Sequence, residues 1–73
     1  MQDSTSVNGE ATAPTLEEAR SLAAKSAQGR AEQYALLTGR KLGRAISISE
    51  GEATEATEGA QARAVVSVTY ELR

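Results

Sequence analysis

The chain has 73 residues, 40% of them hydrophobic, with a formal net charge of −2 and a pI near 5.0. It contains neither Cys nor His, which excludes disulfides, thiolate or imidazole metal sites and histidine-based catalysis. The acidic balance argues against nucleic acid as a partner, because phosphate binding requires concentrated positive charge.

The first segment, residues 1–13, is small and polar and carries a weak apolar signal. A strand around Val7 would lie at the edge of a sheet, and the same composition is typical of a disordered terminus. We therefore predict a polar leader over 1–13 that is either disordered or a weak edge strand.

A long amphipathic helix is predicted from Thr15 to Thr38. Thr15 and Glu18 fit a capping box, with Pro14 just outside the helix. The residues that follow are good helix formers. At about 100° per residue, one side of the helix is apolar and composed mostly of small residues. The predicted buried residues are Leu16, Ala19, Ala23, Ala27, Tyr34 and Leu37.

The segment TGRKLG, residues 38–43, contains two glycines and two basic residues and invites comparison with a phosphate-binding loop. Such a loop places its glycines before a helix, where free N–H groups point at the anion. Here the glycines follow the helix. Gly39 is suited to the left-handed position that ends a helix, and Gly43 to the entry into a strand. We predict a structural joint.

Two alternating segments predict antiparallel strands that pair as a hairpin. Residues 44–50 place Ile46 and Ile48 on one face, and residues 62–72 alternate more strongly. Half-polar strands of this kind form sheets with one face covered, and we expect the helix to cover the apolar face of both. The apolar positions of the second strand are Val66, Val68, Tyr70 and Leu72. Between the strands, 51–60 holds no large apolar side chain and predicts a mobile loop.

These elements predict an α+β fold in which one long helix packs on an antiparallel hairpin, a (β)αββ two-layer sandwich. Residues 14–73 form its αββ unit. No apolar stretch approaches the roughly 18 residues of a transmembrane helix, and the N-terminus lacks the pattern of a signal peptide. With no Phe or Trp to bury, we expect the fold to be completed by self-association or by the remainder of a longer domain.

The sequence offers no clear catalytic or metal site. Glu52, Glu55 and Glu58 recur at every third position, but no fixed scaffold for a cation lies beneath them, and a solvated loop explains them. The Ser and Thr hydroxyls have no His or Cys partner to support triad chemistry. We expect no catalytic residue, no metal and no cofactor, and a chain that is not an enzyme.

The candidate interaction residues lie on the helix instead. Alanines at every fourth position form a ridge that would let another helix backbone approach closely, although helix propensity alone also explains them. These alanines are Ala19, Ala23, Ala27, Ala31 and Ala35. Arg30 projects to the apolar side. It either extends its charged end to solvent or pairs with a carboxylate, from a partner chain or from Glu50 or Glu71.

The order and spacing of these motifs resemble the C-terminal part of the SIMPL (DUF541) domain. Members show a helix of the form A-x-x-R-A-E-x-[LY]-A, then G-x-x-L-G, an ISE strand, a variable loop and a final V-x-V-x-Y-x-L strand. The corresponding residues are Arg30-Ala31-Glu32 with Tyr34-Ala35, Gly39 with Leu42-Gly43, Ile48-Ser49-Glu50, and Val66, Val68, Tyr70 and Leu72. The resemblance covers residues 14–73.

The resemblance implies a bacterial protein exported to the periplasm or cell envelope. Some members form large channel-like oligomers, some are linked to envelope or oxidative stress, and a mammalian relative is a signalling adaptor. No catalytic residues are established for the family, and its members carry a longer N-terminal portion. We therefore expect a non-enzymatic envelope module that acts as a homo-oligomer or through protein contacts.

The alternative is a small-molecule binder, because the (β)αββ unit also resembles dodecin, in which flavin sits between subunits. That alternative expects an aromatic residue to stack on the flavin ring, and no Trp is present.

Overall fold

The structure, a computed structural model, describes residues 3–73. Its elements in chain order are β1 (Ser4–Ala13), α1 (Leu16–Leu37), β2 (Leu42–Thr54) and β3 (Ala62–Leu72). The strands form one antiparallel sheet in the order β1-β3-β2, and α1 packs on one face of it. The predicted α+β architecture is confirmed.

β1 is a full strand that pairs with β3 along its whole length. It buries Val7 and Ala13 beneath α1. Of the two alternatives for the N-terminal segment, the described part is the edge strand, and residues 1–2 lie outside the described residues. The apolar signal was weak because the buried positions of β1 hold small residues, Gly9 among them.

Both ends of α1 follow the predicted capping chemistry. At the start, the Thr15 hydroxyl accepts a hydrogen bond from the Glu18 N–H at 3.2 Å. At the end, Gly39 has a φ of +71°. The Arg40 N–H donates to the Ala35 carbonyl at 2.8 Å, the long hydrogen bond of a Schellman motif. The segment 38–43 is therefore a structural joint, as predicted.

The buried face of α1 consists of alanine alone. Its members are Ala19, Ala23, Ala27, Ala31 and Ala35, each at most 2% exposed. The first four pack in one cluster with Val and Ala side chains of β1 and β3. The prediction that this ridge receives a helix of another chain is wrong, because its side chains keep no accessible surface. The ridge packs on the chain's own sheet.

Two residues predicted to be buried on the helix are largely exposed. Tyr34 is 51% exposed and Leu37 is 74% exposed. The helical projection assumed one fixed buried direction, whereas the alanine row at every fourth position winds around the helix by about 40° per step. Along α1, the side of the helix that faces the sheet rotates with this row of alanines. Tyr34 and Leu37 do not lie on that side.

α1 approaches β1 so closely that only glycine fits beneath it. A Cβ atom added to Gly9 would lie 2.1 Å from the Ala23 carbonyl oxygen and 2.6 Å from the Ala27 nitrogen. The helix backbone thus rests almost directly on the strand backbone. The core is correspondingly shallow, and Val68 is its largest fully buried side chain among the described residues.

β2 continues beyond its predicted end at residue 50. Ala53 still pairs with Ala64, and the strand ends at Thr54. The predicted loop over 51–60 is therefore wrong in its bounds, because backbone pairing with β3 does not require large apolar side chains. The remaining connection contains a small Thr57–Ala60 bridge. Its mobility stays a prediction.

α1 covers β1 and β3 and leaves β2 open. Ile48 pairs with Val68 and shares its helix-facing side, yet Ile48 is 65% exposed whereas Val68 is 2% exposed. Ile46 is 56% exposed. The prediction that the helix covers the apolar face of both strands is thus correct for β3 and wrong for β2. A helix about 10 Å wide spans roughly two strands spaced about 4.8 Å apart, and the third strand falls outside it.

The close approach of α1 to β1 predicts opposite effects at two glycines. Gly9→Ala should lower the free energy of unfolding by about 2 kcal/mol or more, because the helix must move off the strand. Gly29→Ala should raise it by about 0.5–1 kcal/mol, since Gly29 lies within α1 and its added Cβ meets no atom within 4 Å. Urea unfolding followed by circular dichroism measures both. Similar small effects at the two sites would contradict the close approach.

Candidate interaction surface

The helix-facing side of β2 and the adjacent flank of α1 form an open groove, called here the β2 groove. Its wall carries α1 residues that lie four or eight positions apart: Arg20, Gln28, Glu32 and Leu36. Its floor carries the β2 residues that share a side with the buried residues of β3: Leu42, Ile48 and Glu50. The end near the joint is an open depression of about 710 Å³.

An ion pair spans the groove from helix to strand. The Arg20 Nε donates to one carboxylate oxygen of Glu50, and the Arg20 Nη2 donates to the other at 3.2 Å. Both side chains remain partly exposed, at 49% and 38%. Hydrogen bonding from Arg20 lowers the pKa of Glu50, and the same contact raises the pKa of Arg20. This bidentate pair links β2 to the flank of α1.

Arg30 lies on the opposite flank of α1. Its Nη1 donates to the backbone carbonyl of Asn8 on β1 at 3.1 Å. The predicted pairing of Arg30 with Glu50 or Glu71 is wrong, because Glu50 is engaged across the groove and Glu71 accepts from Arg73 at 3.2 Å. Arg30 points towards β1 for the same reason that Tyr34 is exposed: the buried direction rotates along α1.

The basic joint at the end of the groove is tied to the sheet. The Arg40 guanidinium donates to the Leu72 carbonyl at 3.2 Å and lies 3.5 Å from the Asp3 carboxylate. The backbones of Lys41 and Arg73 exchange two hydrogen bonds of 2.8 Å. These contacts give the joint a structural role and fix the start of β2.

The opposite face of the sheet is polar. Hydroxyl and amide side chains bond between β1 and β3, as in Ser6–Thr69 at 2.8 Å and Ser67–Asn8 at 2.7 Å. Arg63 on β3 bridges to one glutamate on each neighbouring strand, at 2.6 Å and 3.5 Å. Polar side chains that satisfy one another suit a solvated face. Ile48, which pairs with Val68, instead adds exposed apolar surface to the helix-facing side.

The charged side chains of residues 3–73 form neither a buried cluster nor a metal-ligand cluster. Across 3–73, no polar or charged side chain is buried, and no three His, Cys, Asp or Glu side chains converge as metal ligands. Glu52, Glu55 and Glu58 are all exposed. Within the same range, α1 falls short of the length and apolar character that crossing a bilayer requires.

Comparison with protein-family models finds one that matches residues 2–71: SIMPL, described as a protein of unknown function (DUF541). The matched span runs from before β1 to the penultimate residue of β3 and so includes the whole β2 groove. No curated protein and no solved structure matches the chain.

The ion pair across the groove predicts a titration effect. Arg20→Gln should raise the pKa of Glu50 towards its ordinary value, whereas the control Arg30→Gln on the other flank should leave it unchanged. Carboxyl-carbon NMR titration measures both. Because the folded pKa is lowered, the pair stabilises the fold at neutral pH, and this contribution is lost as the pH falls through that pKa. A Glu50 pKa that is the same in wild type and Arg20→Gln would contradict the pair.

Proposed function

This chain belongs to the SIMPL (DUF541) family, and on that premise we propose that it is a non-enzymatic interaction module that works through self-assembly or contact with other proteins. The observation that carries the proposal is the open state of β2. The strand pairs with β3 and bonds to α1 through Arg20 and Glu50, yet its Ile46 and Ile48 are more than half exposed.

The exposed side chains along the groove supply an apolar contact surface. Ile46 and Ile48 are 56% and 65% exposed on the floor strand, and Leu36 is 79% exposed on the wall. Burying such side chains contributes about 25 cal/mol for each Å² removed from water. The small core provides little stability of its own, so covering this surface also supports the fold. A partner surface therefore has a thermodynamic reason to bind here.

A catalytic role has less support than a binding role. Nucleophilic and acid–base catalysis need reactive side chains held together in a partly enclosed site. The chain has no His or Cys. Five carboxylates among the described residues pair with arginine at the surface: Asp3, Glu10, Glu50, Glu52 and Glu71. We propose that these groups fix strands and helix relative to one another.

The alternative of a dodecin-like flavin site gains no support from a particular feature of the groove. Flavin rings bind by stacking on aromatic side chains, and the residues that line the 710 Å³ end of the groove include no aromatic side chain. Flavin binding remains an untested prediction. An unchanged flavin fluorescence on titration with the protein would end it.

We further propose that the protein functions in the cell envelope. The support is the resemblance to exported family members. Fractionation of cells that express the natural gene, probed with an antibody to this chain, should recover it with periplasmic or envelope markers. Recovery together with a cytosolic marker enzyme would contradict the proposed location, without bearing on the interaction role.

Self-assembly predicts a solution mass above the 7.6 kDa of one chain. Sedimentation equilibrium over a rising concentration series should show this for the wild type. The double variant Ile46→Ser/Ile48→Ser should weaken association about tenfold or more, since each lost apolar contact is worth roughly 1 kcal/mol. The control Leu37→Ser removes an equally apolar side chain that is 74% exposed outside the groove and should leave association unchanged. A monomeric wild type throughout the series would rule out self-assembly.

A further inference from the structure

We propose that the free edge of β2 pairs in antiparallel orientation with β2 of a second copy of this chain, joining the two sheets into one. This inference rests on the proposed self-assembly and deepens it by naming the surface, the partner and the strand direction. It is carried by three features of β2: its open edge, its charge distribution and its apolar centre.

The open edge makes β2 a template for strand pairing. β2 is bonded on one side to β3, and its other side has no strand neighbour among the described residues. Unpaired N–H and C=O groups on such an edge readily accept another strand. The other edge of the sheet, β1, is less available. Its Asn8 carbonyl already accepts from Arg30, and α1 covers its inner face.

The charges of β2 are separated along the strand. Arg44 lies near its start, whereas Glu50 and Glu52 lie near its end. The flanking segments extend the same pattern, with basic residues before the strand and glutamates after it. A parallel partner would set like charges side by side. An antiparallel partner sets the basic start of each strand beside the acidic end of the other. Exposed pairs contribute about 0–1 kcal/mol each, which selects direction more than it adds affinity.

The centre of β2 is both apolar and regular. The pairing of β2 with β3 is uninterrupted from Ser47 to Glu50, between irregularities on either side. A two-fold axis at Ile48, inside this regular run, places Ile48 of one copy opposite Ile48 of the other and Ser47 opposite Ser49. Directly opposed side chains in an antiparallel pair lie about 4.5–5.5 Å apart and contact each other. This register keeps the opposed residues inside the regular run, and the antiparallel direction sets the basic start of each strand beside the acidic end of the other.

Single-cysteine variants test this register, because the natural sequence contains no Cys. Ile48→Cys alone should give a disulfide-linked dimer on mild oxidation, since position 48 faces its own copy. Ser47→Cys and Ser49→Cys should each give little dimer alone and a mixed dimer when combined. Isotope labelling of one variant lets mass spectrometry distinguish mixed from like dimers.

The control is Ser21→Cys, an exposed position on α1 outside the β2 edge, which should dimerise only at the background rate. Circular dichroism checks that each variant is folded. Sedimentation equilibrium measures the solution mass of the wild type, without a cross-link, in parallel. The expected result is an associating wild type, a dimer of the position-48 variant alone, and a mixed dimer of the position-47 and position-49 variants.

Other outcomes overturn the inference in distinguishable ways. Like dimers at 47 and at 49 without mixed dimers would show a parallel pair. An associating wild type with no cross-linking at any β2 position would show that another surface, or a further strand of a longer domain, makes the contact. Both results leave the proposed assembly intact. A monomeric wild type would overturn the edge pairing and the self-assembly together.

Discussion

The structure depends on one contact, the near-direct seating of the α1 backbone on the sheet. Gly9 on β1 has no side chain, and the row of alanines on α1 has the smallest ones available. Because the side chains at this contact are so small, the helix and the strand approach each other more closely than larger core side chains permit. The same closeness limits how much apolar area the chain buries. Stability here comes from the fit of small groups over the length of the helix rather than from large side chains.

The position of α1 determines which surface remains for interactions. A helix seated this close to β1 and β3 does not extend over β2, and Ile46 and Ile48 stay exposed. The Arg20–Glu50 pair spans the resulting groove without closing it. β2 therefore pairs with β3 at one edge, whereas its other edge has no strand neighbour among the described residues and Ile48 on its helix-facing side stays exposed. The proposed assembly role and the proposed strand pairing both follow from this geometry.

The sequence predicted those elements whose signals are local. The Thr15 cap, the Gly39 helix end and the alternation of β3 each depend on neighbouring residues, and all three are confirmed. The importance of Gly9 was missed, because it depends on what lies opposite across the chain. The buried positions of β1 are small, so its pattern was weak, and β2 was predicted too short because backbone pairing leaves little trace in side-chain pattern.

The interaction surface was harder to predict than the fold. The alanine ridge was recognised, but its partner is the chain's own sheet. Arg30 was placed with a fixed helical projection, which fails where the buried direction rotates along the helix. Arg20 and Glu50 are 30 positions apart in the chain, and no local pattern signals such a pair. The β2 groove exists only because α1 covers β1 and β3. Predicting it therefore requires the order of the strands in the sheet.

The most direct test of the central claim is amide hydrogen exchange along β2 as a function of protein concentration. Alternate amides from Ser47 to Glu50 that are not bonded to β3 should exchange freely in dilute solution, because α1 leaves this strand open, and should become protected as concentration rises. Amides of β1 should show no such change. Protection of these same edge amides already in dilute solution, or concentration-dependent protection confined to β1, would contradict the account.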